Sequence, residues 1–266
     1  MTSRLPVKKT YKLYIGGAFP RSESGRTYLA EGQNVARASR KDVRDAVRAA
    51  RDAQPKWAGL TAYNRGQVLY RVAEILEARH AELAEMCAGE GEVSRAIDRF
   101  VWYAGWADKL AQALGSSNPV AGPYFNFTFP QPTGVVGILA PGEPALEGLV
   151  SRLAPALVGG NALVVVASEE HPLAAVELAE VLATSDVPAG VVNILTGLHA
   201  ELAPVLASHM DVNALDVTGA DGAAAELERL GAENVKRIVR GAVDGQSPWE
   251  IAAFLELKTV WHPIGT

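Results

Sequence analysis

The chain has 266 residues, of which 48% are hydrophobic and 21% charged, and its formal net charge is -5. That length holds one large domain or two small ones with ample core, and the acidic balance excludes a nucleic-acid binder, because no basic surplus exists to neutralise phosphates. The single cysteine, Cys87, excludes an internal disulfide and fits a reducing compartment; no apolar run is long enough for a signal peptide or a membrane span, so the expectation is a cytoplasmic protein that binds no membrane.

In chain order, Lys12–Ile15 and Thr27–Leu29 are expected to pair as a short antiparallel opening across the turn-rich GGAFPRSESG stretch. Ser39 and Asp42 then suit a capping box, followed by Val43, Ala46, Val47 and Ala50 at helical spacing. A second helix carries Val68, Val72, Ile75 and Leu76, and the charged run EARHAELAE either continues it or breaks by Cys87-Ala88-Gly89. A third is expected from Arg95 to Leu114, with Ile97, Val101, Ala104 and Leu110 inward and Phe100, Trp102 and Trp106 nearby. Three helices in succession predict a helical layer ahead of any βα alternation.

Between Pro119 and Pro132, the segment PYFNFTFPQP alternates aromatic and polar residues. Its bracketing prolines suit an exposed strand or hairpin arm, because proline is barred from a sheet's centre. Four aromatics, Tyr124, Phe125, Phe127 and Phe129, point to an interface; a core edge strand is the plainer alternative.

From Gly134 the pattern becomes regular. Strands GVVGILA, ALVVVA, VVNIL, ALDV and VKRIV alternate with helices at Pro144 to Leu157, Pro172 to Ala183, Ala200 to Ser208 and Asp221 to Leu230. Short apolar strands between amphipathic helices mean a parallel sheet covered on both faces. Right-handed crossovers then give an α/β, doubly wound, Rossmann-like domain. FLELKTVWHP supplies a last strand.

Several stretches resemble the aldehyde dehydrogenase superfamily: KLYIGGAFPRSESGRTY, ASRKDVRDAVRAARDAQPKWAGL, PTGVVGILAP, LAPALVGGNALVV, VPAGVVNILTG, DVTG and FLELKTVW. Order and spacing together make the resemblance specific, and it covers essentially the whole chain. It implies a cofactor domain over residues 1–118 and 134–248, including the helical layer, with an oligomerisation arm and tail strand at 119–133 and 254–266. The family's catalytic domain is expected to be absent, because GQSPW, which resembles the end of the cofactor domain, runs almost at once into the final strand. The chain is similar to the non-catalytic second copy found in some two-copy members.

The resemblance also implies what has been lost. The family's reaction needs a cysteine thiolate, which attacks the aldehyde before hydride passes to NAD(P); Cys87 is expected to lie far from the strand ends and to serve packing. The general-base glutamate of LELGGKSP falls at Ala242, anchoring on Ser247-Pro248. The oxyanion asparagine of APWNFP falls at Glu143, whose charge would repel a developing alkoxide. No catalytic residue is assigned. In the cofactor motifs, Val166 stands where KPSE has lysine, and Ala220 stands where FTGS has serine. Glu169, Thr218 and Gly219 are the vestigial cofactor-binding residues, so NAD or NADP is expected to bind weakly if at all. Asp221, in the first turn of the following helix, would compete with a phosphate there. The five histidines are scattered, with no metal-ligand spacing.

Three functions are open on these grounds. One is a scaffold or subunit partnering a full-length aldehyde dehydrogenase or itself. The others are a nucleotide sensor and an oxidoreductase part whose active site a partner completes. An edge strand kept without its receiving sheet would be an aggregation hazard, which favours the first.

Overall fold

The computed structural model describes residues 8–265; residues 1–7 and Thr266, the ends of the expected cofactor domain and tail, lie outside the described residues. The opening sheet differs from expectation. β1 (Thr10–Tyr11), β2 (Thr27–Ala30) and β3 (Gln33–Ala36) form a sheet in the order β1-β3-β2. β2 turns back on β3 through Glu31 and Gly32, both at positive φ. Lys12–Ile15 does not pair with Thr27–Leu29. Instead Tyr14 exchanges backbone hydrogen bonds with Ile194, at the edge of the main sheet.

α1 (Arg40–Ala58) starts on the expected capping box: Ser39 accepts from the Asp42 amide while Asp42 accepts from the Ser39 amide at 2.7 Å. Val43, Ala46, Val47 and Ala50 are all buried. α2 (Ala62–Ala78) breaks at Arg79 into the short α3 (His80–Ala84). α4 (Glu90–Trp106) begins earlier than expected, because Gly89 at φ 95° ends the preceding turn. After a 3₁₀ turn at Ala107–Lys109 comes α5 (Leu110–Leu114). Ile97 and Leu110 are buried, but Val101 is 41% exposed. The buried stripe of α4 runs through Val93, Ala96, Ile97, Phe100 and Tyr103, and Val101 lies just beyond it.

β4 (Ser116–Asn118) and β5 (Tyr124–Pro132) follow. The parallel sheet then comprises β6 (Val135–Leu139), β7 (Ala162–Val166), β8 (Val192–Leu195), β9 (Ala214–Asp216) and β10 (Arg237–Val239). Its helices are α6 (Ala145–Val158), α7 (Pro172–Ala183), α8 (His199–Ser208) and α9 (Ala224–Ala232). The order β10-β9-β6-β7-β8, parallel throughout, is doubly wound, with the switch point between β6 and β9. α2, α4, α6 and α7 cover one face, and α1, α8 and α9 the other. α6 is buried on every side from Leu146 to Val158, so any charge on it must be paired inside the protein.

After β10 the chain forms the short α10 (Pro248–Ala252) and then β11 (Leu255–Pro263). β11 pairs antiparallel with all of β5, from Leu255↔Pro132 to Pro263↔Tyr124. β5 is therefore the central strand of a sheet ordered β11-β5-β4, not an edge. The proline rule still holds residue by residue: β4 reaches only Asn126–Thr128, and Pro130 and Pro132 lie beyond it. Phe125, Phe127 and Phe129 stack along one face, with ring centroids 5.3 and 6.1 Å apart. Tyr124 meets Trp261 on the other at 5.7 Å.

Candidate functional site

In a doubly wound sheet the chemistry belongs at the carboxyl ends of the strands beside the switch point. Here the chain's own charged groups fill that place. Helix α6 opens just after β6, and its first amides would suit an anion. Glu92 of α4, 2% exposed, occupies them: its Oε1 accepts from the amides of Leu146 at 2.7 Å and Glu147 at 3.2 Å. Its Oε2 accepts from the Ala88 amide at 2.7 Å. In the same first turn, the Glu147 carboxylate is held by Arg95 at 2.6 Å and Arg99 at 2.8 Å. Burial alone would raise the Glu147 carboxyl, but the two arginines outweigh it and hold it below its ordinary value.

Deeper in, Arg152 of α6 is fully buried. Its Nε donates to Asp216 Oδ2 at 2.7 Å, and its Nη1 is paired with Glu250. Burial works against its charge, yet Asp216 and Glu250 raise its pKa above the ordinary value. A Cβ on Gly241 would lie 2.0 Å from the guanidinium carbon, so only glycine lets the side chain rest there.

The expected cofactor residues are engaged elsewhere. Glu169 accepts from the His199 amide at the start of α8, and His199 Nε2 lies 2.8 Å from the Ala167 carbonyl oxygen. The Thr218 hydroxyl donates to Asp216 Oδ1 at 2.5 Å and accepts from the Gly241 amide at 2.9 Å. Gly219 is pressed on the end of β6, where an added Cβ would stand 2.2 Å from the Ala140 oxygen. Val166 is buried, and Ala220 is 7% exposed. Glu169 and Thr218 are thus already bonded within the fold, and Val166 and Ala220 carry no polar side-chain group.

Cys87 is not remote from the strand ends. It lines a cleft of about 580 Å³ with Glu92, Glu143 and His171, because the turn before α4 packs over the start of α6. Glu143 is exposed and 3.3 Å from His171, which also faces Glu31 at 3.6 Å. Burial, Glu92 and Glu31 together push the Cys87 thiol up to about 12. Against an ordinary thiol, its thiolate fraction at pH 8 falls on the order of a thousandfold. Alkylation by iodoacetamide should be correspondingly slow, and a rate like that of free cysteine would contradict this environment.

The chain matches the aldehyde dehydrogenase family model over residues 29–262. It belongs to the aldehyde dehydrogenase family. Human retinal dehydrogenase 2 is 33% identical over 277 residues, covering 96% of this chain and 52% of that protein. The solved structure of HpcC from Thermus thermophilus superposes with a TM-score of 0.83 at 31% identity, over 87% of this chain and 48% of that one. The NAD+ complex of an aldehyde dehydrogenase from Bacillus cereus gives 0.81 at 26% identity, over 86% and 50%. The chain spans about half the length of the curated relatives it matches.

The family motifs do not reveal Glu92, Arg99, Arg152, Asp216 or Glu250. A signal is present for two of them. Arg152 is a cation within the apolar run of α6, and Asp216 is the one charge in the strand ALDV. Charges inside fully apolar elements imply buried partners.

Proposed function

We propose that this chain is a non-catalytic aldehyde dehydrogenase-like subunit or scaffold that associates through its arm and tail, with a full-length NAD(P)-dependent aldehyde dehydrogenase or with itself. One observation carries the reading: the sheet of β4, β5 and β11 leaves Tyr124, Phe125, Leu257 and Trp261 between 41% and 60% exposed. A small sheet with uncovered aromatics is poorly stable alone and gains from a partner that covers it.

Absence of catalysis rests on the residues at the mapped positions. Ala242 has no proton to move, and Glu143 would oppose an oxyanion. Cys87 is held as a thiol. Only residues 240–254 separate β10 from β11, where the family resemblance implies a catalytic domain.

Purified protein is expected to oxidise no aliphatic or aromatic aldehyde with NAD or NADP, and native co-purification should recover an aldehyde dehydrogenase. Turnover that disappears in Cys87→Ala would overturn the non-catalytic reading. The likeness to an NAD+ complex favours a second reading, a nucleotide sensor. Val166 and Ala220, standing for the motif's lysine and serine, remove two hydrogen bonds to the cofactor, each worth roughly 1–3 kcal/mol, which weakens binding about a hundredfold or more. Low-micromolar affinity by calorimetry would decide for the sensor.

A further inference from the structure

The segment from Gly241 to Glu250, which ends within α10, is attached almost wholly by polar contacts. No side chain from Gly241 to Glu250 is fully buried; the first apolar anchors are Ile251 and Phe254. Arg99 donates to the carbonyls of Asp244 at 2.8 Å and Gly245 at 2.9 Å. Arg152 pairs with Glu250, and the Gly241 amide donates to Thr218. Both arginines also keep a second carboxylate in the body of the fold, Glu147 for Arg99 and Asp216 for Arg152. The segment can therefore leave without stranding a buried charge, the step that normally makes breaking such pairs expensive.

A second observation concerns the same two side chains. Arg99 Nε and Arg152 Nη2 are buried donors without an acceptor among the described residues. Buried donors are normally satisfied, so the segment is an incomplete partner for both guanidiniums. The same segment joins them: Arg99 holds the Gly245 carbonyl, and a Cβ built on Gly245 would be 2.9 Å from Glu250 Oε1, of the carboxylate that Arg152 pairs with.

We propose that residues 241–250 form a lid that opens as a unit, and that the site beneath it takes an oxyanion, a phosphate or carboxylate group, in place of Glu250. An oxyanion has several acceptor oxygens in one small group and suits guanidinium donors better than two carbonyls and one side chain. Opening also releases the Thr218 hydroxyl from the Gly241 amide, at the switch point where α/β folds receive ligands. Little apolar surface holds the segment, which places its opening at the low end of the stability range. The site does not depend on the association proposed above.

Hydrogen exchange read by mass spectrometry on the full chain tests this, with inorganic phosphate as the probe. In wild type under mild urea, residues 241–250 should exchange together, at least about tenfold faster than β6 to β8. Glu250→Ala should remain folded, since Arg152 keeps Asp216. Millimolar phosphate should raise its melting temperature more than that of wild type, and adding Arg99→Met, which leaves Glu147 paired with Arg95, should abolish the response. Exchange of the segment in step with the sheet would overturn the lid. An equal phosphate response in both proteins, or a Glu250→Ala chain that does not fold, would overturn the oxyanion site. Because no partner is present, a failure here is distinct from a failure to associate.

Discussion

Arg152→Ala is expected to destabilise the fold by about 3–5 kcal/mol, because it leaves the fully buried Asp216 carboxylate without its cation. Asp216 also accepts from the amide and hydroxyl of Thr218, but neutral donors do not replace a guanidinium. Loss of the Arg152 stem adds a cavity beneath the Phe254 ring, which lies 5.5 Å from the guanidinium carbon. Urea unfolding should show a lower midpoint with an unchanged slope. Adding Asp216→Asn to the Arg152→Ala chain should recover part of the loss, since the unpaired charge is then gone. A single variant as stable as wild type would mean that water or backbone already satisfies Asp216.

Leu257→Lys combined with Trp261→Lys should abolish association and leave the fold intact. The two side chains are 60% and 58% exposed on the same face of β11, so the fold loses only about 0.5 kcal/mol or less for each. A buried tryptophan at the centre of an interface is worth roughly 2 kcal/mol or more, and lysine on an edge strand also opposes further pairing. Together they should weaken partner binding by at least about a hundredfold. Pull-down from the native cell and light scattering of the pure protein would measure this. A double variant that still recovers its partner would exclude this face as the interface. Truncation at Leu255 would be a poorer test: that residue is 4% exposed and belongs to the core, so unfolding would be confused with loss of binding.

What can be read from the residues divides along physical lines. The parallel sheet, its helices and the α1 cap are legible because strand length, apolar runs and Ser39 with Asp42 are local signals. The opening sheet is not, because Glu31-Gly32, a tight turn at positive φ, is overshadowed by the richer GGAFPRSESG stretch. Val101 is misplaced because i+4 spacing from Ile97 fits a helix face without saying where the buried stripe ends. Glu92 cannot be read as a cap, since the helix it caps begins more than fifty residues later in the chain. The engagement of Glu169 and Thr218 is hidden for the same reason: His199 and Gly241 are their partners only in three dimensions.

The pairing of β5 with β11 also has a consequence for synthesis. Strand β5 emerges roughly 120 residues before β11, and at about 5–20 residues per second its long partner follows on the order of ten seconds later. Through that interval three phenylalanines and a tyrosine have only the three-residue β4 and the short α5 beside them. The five-stranded sheet forms from neighbouring βα units meanwhile, so the arm is the last part of the fold to be completed. Nascent chains stalled before residue 255 should therefore be the species that chaperones bind most strongly, through the Tyr124–Phe129 segment.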